Sequence, residues 1–391
     1  MATPKLRFKE FDGDWSNKKI GNIASKVGSG STPRGGAEAY TDHGIIFIRS
    51  QNVNNDQLLL DDVAYIPEET HVKMSGSKVI ANDILLNITG ASIGRSCVVP
   101  HDFTEANVNQ HVCIIRTPND DPIFVQSFLS SENGQNAIQS KQAGGGREGL
   151  NFQAIRSIDF HFPPSKEEQA KIASFLSNVD KKISQLTQKH ALLSQYKQGM
   201  MQKLFSQQLR FKADNGSEFG EWEEKELHQI FQIKAGGDIE KSSVSEVRTS
   251  EFSYPIFANS DKNKGFYGWA NKFKYKEAVT VTGRGNLGIA VARNEPFYPI
   301  VRLLVLLPLV KQNLKFFEEQ INLLDIVSES TGVPQLTAPQ LSKYKVNVPS
   351  LEEQTKIATF LSAIDQKIEV VAQQIEQAKQ WKKGLLQQMF V

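Results

Sequence analysis

Pro164-Ser-Lys-Glu-Glu-Gln-Ala-Lys-Ile-Ala-Ser-Phe-Leu-Ser177 returns as Pro349-Ser-Leu-Glu-Glu-Gln-Thr-Lys-Ile-Ala-Thr-Phe-Leu-Ser362, at an offset of 185 residues (349 minus 164). The same offset, without a gap, pairs Tyr196-Lys-Gln-Gly-Met-Met-Gln202 with Trp381-Lys-Lys-Gly-Leu-Leu-Gln387, and Phe205 with Phe390. A fainter echo joins Leu6-Arg7-Phe8 to Leu209-Arg210-Phe211, and Gly13-Asp14-Trp15 to Gly220-Glu221-Trp222. Self-similarity on this scale makes the whole chain a duplication.

Each repeated stretch predicts one long helix. Ser165 or Ser350 caps its start, and Glu168 or Glu353, three residues on, is placed to reach back and complete a capping box. Within the first helix Ile172, Leu176, Val179, Ile183, Leu186, His190, Leu193, Lys197, Met200 and Leu204 alternate spacings of four and three, the seam of a coiled coil. The second helix repeats it in register with Ile357, Leu361, Ile364, Ile368, Val371, Ile375, Ala378, Lys382, Leu385 and Met389. Helices of about 40 residues span roughly 60 Å at about 1.5 Å per residue. Neither has an apolar partner nearby in sequence, so the economical packing is of one on the other, antiparallel about a pseudo-twofold axis. His190 and Lys197, polar at seam positions, read as register-setting or snorkelling residues.

The expected organisation is therefore α+β. A domain over 1–163, a helix over 164–207, a second domain over 208–348 and a helix over 349–391 follow one another along the 391 residues. That length exceeds what one core usually organises. No apolar run approaches the roughly 20 residues of a membrane helix. The basic start, Met1 to Glu10, lacks an apolar signal core, so an intracellular, cytoplasmic location is expected. Cys97 and Cys113 are the only cysteines, too few for a disulfide framework or a paired zinc site, and read as core residues. A net charge of +2 is compatible with nucleic-acid binding but does not announce it.

Short apolar runs bounded by turn residues predict strands in both domains: Gly44–Arg49, Asp83–Ile88, His111–Arg116, Ala278–Thr282 and Ile300–Leu306. Val301–Val310, which contains Arg302 and Pro308, likewise reads as a buried strand. Helix is expected from Asp121 to Gln142 and from Leu314 to Ser328, and a closing strand around Phe160 or Val346 delivers the chain to each long helix. The two domains are not obvious copies of one another in sequence.

Recognition, if present, belongs to the polar loops. In the first domain these carry Arg34, then Arg49, Gln51 and Asn52 at a strand end, then Ser92 and Arg95 on a glycine turn, and Arg147 in a glycine run. In the second, Asn259, Lys262, Asn263, Lys264 and Tyr267 precede Arg284 and Asn286 on a second glycine turn. Arginine matches guanine, and asparagine or glutamine matches adenine, by paired hydrogen bonds in the major groove; lysines position phosphates. An ordinary solvated turn is the competing reading for each of these residues. The glycine turns lack phosphate-loop spacing, and Gly144-Gly-Gly-Arg-Glu-Gly149 leads to a strand rather than a helix. No nucleophile elbow, metalloprotease helix, dinucleotide fingerprint or Cys/His cluster is present. A catalytic chain is thus disfavoured, although a dispersed acid-base site stays open.

The duplicated helix starts at Pro164 and Pro349, the Gly-Met-Met-Gln-Lys-Leu-Phe205 and Gly-Leu-Leu-Gln-Gln-Met-Phe390 helix ends, Tyr254-Pro-Ile-Phe257 and Thr282-Gly-Arg-Gly285 together resemble the specificity subunit of Type I restriction-modification systems. That resemblance covers essentially the whole chain. It implies two target-recognition domains that each read half of a bipartite double-stranded DNA target, with the helical pair as a ruler. It also implies docking of two methyltransferase subunits and two restriction subunits, and no cofactor on this chain, S-adenosylmethionine, ATP and Mg belonging to the partners. The alternatives are a non-enzymatic coiled-coil protein-binding scaffold and a self-contained nuclease or methyltransferase.

Overall fold

The computed structural model describes residues 3–54, 56–142, 149–326 and 335–391. They form two compact units, one of residues 1–187 with 373–391, the other of residues 188–372.

The first unit holds strands β1 (Ser16–Lys19), β2 (Lys26–Ser29), β3 (Ile45–Ile48), β4 (Ala64–Ile66), β5 (Lys78–Val79), β6 (Ile84–Asn87), β7 (Ser96–Val98), β8 (Ala106–Val108), β9 (Val112–Arg116) and β10 (Asp159–Phe162). One sheet has the order β2-β9-β6-β7, antiparallel throughout. A second has the order β4-β3-β8-β5, in which β3 and β8 run parallel. The closing strand β10 pairs with β1. The helical stretch expected over Asp121–Gln142 forms as two helices, α1 (Pro122–Ser130) and α2 (Glu132–Ser140), because Ser131 leaves helical geometry to cap the second. Asp121 caps the first, accepting from Ile123 N and Phe124 N.

The first long helix, α3, runs Lys166–Phe205, and the second unit follows it. Its strands are β11 (Glu223–Glu226), β12 (Phe231–Ala235), β13 (Val244–Ser245), β14 (Tyr254–Phe257), β15 (Phe266–Ala270), β16 (Ala278–Val281), β17 (Ala290–Arg293), β18 (Tyr298–Pro299), β19 (Leu304–Pro308) and β20 (Lys345–Val348). Helix α4 (Leu314–Ile321) precedes β20, and the second long helix, α5, runs Leu351–Met389. The sheets are β12-β19-β16-β17, antiparallel, and β13-β15-β14-β18, in which β14 and β18 are parallel; β11 pairs with β20. Two domains without evident sequence likeness thus share the antiparallel sheet and a three-stranded core of the second sheet, and differ at its edge, where β5 joins β8 in the first unit and β13 joins β15 in the second. The expected strand over Ile300–Leu306 begins only at Leu304, because Val301 and Arg302 adopt left-handed φ of 51° and 60°. Val301, Leu309 and Val310 are exposed, so the run Val301–Val310 is not one buried strand. Of the stretch expected helical to Ser328, residues 327 and 328 lie outside the described residues.

In the first unit the start of α3 meets the end of α5, since Ile172, Leu176 and Val179 share a core with Leu385, Met389 and Phe390. In the second the end of α3 meets the start of α5, through Met201 and Leu204 with Ile357, Leu361 and Ile364. The two helices are therefore antiparallel. Leu186 and Val371 are also buried and Ile183 and Ile368 half-buried, so the alternating seam is the apolar face. The domain cores continue into it: Phe128 stacks on Phe160 at 3.9 Å, and Phe124 lies 5.2 Å from Phe390. Each such ring buried contributes about 1.5–3 kcal/mol.

The repeated Glu-Glu-Gln is explained by what it grips. Ser165 and Ser350 cap as expected, accepting from Glu168 N and Glu353 N at 3.1 and 3.3 Å. The carboxylates, however, do not return to complete a capping box. Glu168 accepts two bonds from Arg7, at 2.7 and 2.8 Å, and one from Trp15 Nε1; Glu353 accepts two from Arg210, at 3.0 and 2.9 Å, and one from Trp222 Nε1. The faint echo in the sequence is this Arg-Trp clamp. Gln169 Oε1 accepts from the backbone N–H of Asp121 at 3.1 Å, and Gln354 Oε1 from that of Asn313 at 3.0 Å, tying each domain helix to its long helix.

The seam lysines are ion-paired. Lys382 donates to Asp180 at 2.6 Å and to Asp56 at 2.8 Å. Lys197 meets Asp365 at 2.7 Å and Glu319 at 2.9 Å, with Lys315 adding a second ammonium at 3.0 Å from Asp365. The two sites differ in how many ammoniums face the helix aspartate, two at Asp365, where Glu318 and Glu319 also draw on Lys315, and one at Asp180. One ammonium serves two carboxylates around Lys382, and burial, which outweighs the attraction of Lys382, holds Asp180 above the usual carboxylate range. Burial also opposes ionisation of Asp365, but two ammoniums overcome it and pull its pKa down.

Candidate nucleic-acid interface

Antiparallel pairing to β9 brings the C-terminal ends of β2 and β6 to one rim of the first unit, beside the parallel ends of β3 and β8. All three candidate loops whose residues are described leave from that rim. Asn87 Nδ2 donates to Ser50 O at 2.9 Å and Asn87 N to Arg95 O at 2.8 Å, joining the Arg49–Asn52 turn to the glycine turn. Thr32 Oγ1 donates to Gln110 Oε1 at 2.6 Å, Gln110 Nε2 lies 3.1 Å from His111 Nε2, and His111 Nδ1 lies 2.6 Å from Thr89 Oγ1. That chain links the Arg34 loop to the glycine turn.

Arg34, Gln51 and Arg95 are exposed and Ser92 is half-buried. Gln51 donates to Asp62 Oδ2 at 2.8 Å, and Arg49 lies 3.7 Å from the same carboxylate. Asn52 does not belong with them. It is buried, accepts from Arg49 N, and donates to Leu59 O and Asp62 O, so its amide is spent on the turn itself. Arg147 lies outside the described residues.

The second unit repeats the rim at the ends of β12, β14, β16 and β18. Asn259 Oδ1 accepts from Gly283 N at 2.7 Å, and its Nδ2 donates to Val301 O; Asn286 Nδ2 donates to Asp261 Oδ2 at 2.5 Å. Asn259 therefore bridges two loops with both ends of its amide and, like Asn52, is a structural residue. Lys262, Asn263, Lys264, Tyr267, Arg284 and Asn286 are exposed. Asn263 and Lys264 hold left-handed φ of 46° and 51°. Arg293 supports them from beneath, donating to Lys264 O at 2.5 Å and to Thr280 Oγ1 at 3.1 Å while its guanidinium lies 3.5 Å over the Phe257 ring. Burial pushes Arg293 down to about 10, against the pull of Glu318. Arg248 stacks on Trp269 nearby in sequence, so this unit interleaves cations and aromatics.

Sequence reading passed over Gln110, His111 and Arg302, all at these rims. Gln110 and His111 stood at the edge of an apolar run and Arg302 inside one, so the hydrophobic pattern masked them; the left-handed Val301–Arg302 pair has no sequence signal. Among the described residues no group of three or more His, Cys, Asp and Glu could hold a metal ion, and no helix is long and apolar enough to cross a membrane.

Two β-rich units with a shared strand plan, each packed on a stretch of the antiparallel helices and each gathering polar loops on a single rim, define a duplicated protein. The family model described as "Type I restriction modification DNA specificity domain" matches residues 12–195 and 220–380, and the chain belongs to that family. It is 30% identical over 221 residues to the Mycoplasma pneumoniae protein named "Putative type I specificity subunit S.MpnORF507P", a match covering 56% of this chain and 59% of that relative, so less than two thirds of the relative's length is spanned. It is 25% identical to the Type I restriction enzyme MjaVIII specificity subunit of Methanocaldococcus jannaschii over 81% of this chain and 80% of that one. In fold it is similar to the crystal structure of the Type-I restriction-modification system S subunit from M. genitalium, with a TM-score of 0.67, 18% identity, and coverage of 100% of this chain and 99% of that one.

Proposed function

We propose that this chain is the DNA-specificity subunit of a Type I restriction-modification complex. The domains over 1–163 and 208–348 each read one half of a bipartite duplex target from their loop rims, and the segments 164–207 and 349–391 mount them. The observation that carries the reading is the convergence, in both units, of every described candidate loop onto one rim in a chain of this family. Arg34, Arg49, Gln51, Ser92 and Arg95 serve one half-site. Lys262, Asn263, Lys264, Tyr267, Arg284 and Asn286 serve the other, with arginines aimed at guanine and lysines at phosphate. Catalysis lies with two methyltransferase and two restriction subunits, which bring S-adenosylmethionine, ATP and Mg, and the complex works in the cytoplasm. The modest net charge of +2 fits a chain that supplies base readout while partners supply phosphate contacts.

The test is to co-express the chain with the methyltransferase encoded beside it and map methylated bases in the host DNA by long-read sequencing. One new bipartite motif is expected. No new methylation from a verified complex would refute the reading and favour a protein-binding scaffold.

A further inference from the structure

One short turn crosses from the second sheet to the first in both units, among the strand ends from which the candidate loops leave. In the first unit it joins β8 to β9 through Asn109-Gln110-His111. Asn109 O accepts from Gly30 N at 3.1 Å, Asn109 N donates to Ile48 O at 3.0 Å, and His111 O accepts from Ile88 N at 3.0 Å. In the second unit it joins β18 to β19 through Ile300-Val301-Arg302-Leu303. Ile300 N donates to Phe257 O at 2.9 Å, while Val301 N and Arg302 N each donate at 3.1 Å, to Gly237 O and Gly236 O. These bonds bind the turn to the ends of β2, β3 and β6 in the first unit and of β12 and β14 in the second, where Asn259 links it on to Gly283.

The side chains it presents are Gln110 in one unit and Arg302 in the other. Gln110 is exposed, unlike the half-buried Asn259, and Thr32 and His111 each occupy one site of its amide, leaving an Oε1 lone pair and one Nε2–H for a base. With Gln110 Nε2 as donor, His111 Nε2 is the acceptor and its Nδ1–H points to Thr89, which fixes the amide face. Such an orientation removes rotamer freedom before binding. Arg302 is exposed at the equivalent place on a left-handed backbone. Its neighbour Val301 is also left-handed, a conformation that disfavours β-branched residues and that concentrates at functional positions. Gly236 makes the close approach possible, since a Cβ there would lie 2.9 Å from Pro299 O.

We propose that this sheet-crossing turn is the central base-reading element of each unit, with Gln110 reading an adenine in one half-site and Arg302 a guanine in the other. A glutamine amide pairs with adenine N6 and N7, and a guanidinium with guanine O6 and N7. The inference rests on the DNA-reading function proposed above.

Full-length chain in its methyltransferase complex, carrying Gln110→Ala or Arg302→Asn, tests it by the same methylation mapping. Asparagine tolerates the left-handed backbone, so the second substitution removes the guanidinium and keeps the turn. Gln110→Ala should relax one adenine position of one half-site, and Arg302→Asn one guanine position of the other, each by about 5- to 150-fold in base discrimination. An unaltered motif from both variants, or loss spread over both half-sites from either one, overturns the proposal. A wild-type complex that yields no bipartite motif refutes the DNA-reading function instead, so the two failures are distinguishable.

Discussion

Replacing Lys382 by Met removes the one ammonium that Asp56 and Asp180 share in the first unit. The lysine side chain is 12% exposed, and the aspartates are 28% and 38% exposed. Methionine fills much of the same volume, so the loss is electrostatic: two carboxylates are left facing each other without a counter-charge. Stripping one partner from a buried pair costs about 3–5 kcal/mol, and the partial exposure of both aspartates argues for the lower end. A cost of about 3 kcal/mol is about a hundredfold in an opening equilibrium. Native-state amide exchange should therefore quicken about a hundredfold over the helix turns around Asp180 and Lys382 at pH 7, with the second unit's protection unchanged. Adding Asp180→Asn should recover most of the loss, because one carboxylate then remains and water reaches it. An exchange rate within fivefold of wild type for the single variant would show that the lysine is a passive neighbour rather than the clamp.

The duplicated aspartates should titrate in opposite senses. Asp180, raised in the fold, contributes stability present below the unfolded carboxylate pKa and lost as pH rises through its folded value; Asp365, depressed, contributes stability present above the unfolded value and lost as pH falls through its folded one. Site-resolved carboxylate NMR should place Asp180 above and Asp365 below the ordinary range, and equal values would contradict the charge count. Gly30→Ala puts a Cβ 1.7 Å from Val108 O, so the loop must leave the sheet-crossing turn, at about 3 kcal/mol or more. A calorimetric melt of the first unit within 1 °C of wild type would show that the approach is not so close. Arg34→Ala and Arg284→Ala should each relax a single half-site, and methylation motifs identical to wild type for both would remove these arginines from the interface.

The helices and their pairing were legible because duplication displayed the same seam twice in one register. The role of Arg7, Trp15, Arg210 and Trp222 was visible only as an echo, since what they share is a distant glutamate rather than a local pattern. The strand plan that the two domains share was hidden for a different reason. Strand order depends on which apolar run pairs with which, and runs such as Ile84–Asn87 and Ala278–Val281 satisfy that with unrelated residues. Among the candidate site residues, composition could select arginines and amides on loops but could not separate Gln51, whose amide reaches the surface, from Asn52, whose amide is consumed by its own turn. Nor could it find Arg302, embedded in a run of Val and Leu.

Gln169 and Gln354 hold the domain helices by the backbone N–H of Asp121 and Asn313 and, through Nε2, by a side-chain oxygen of the residue before, Asp120 or Gln312. A fitting that asks for a free amide at a helix start and one side-chain oxygen beside it, from a carboxylate in one copy and an amide in the other, makes a small demand on what is attached. The two halves of this chain can therefore drift far apart in sequence, or receive a foreign domain with a free amide and a neighbouring acceptor at that point, while this mounting stays the same.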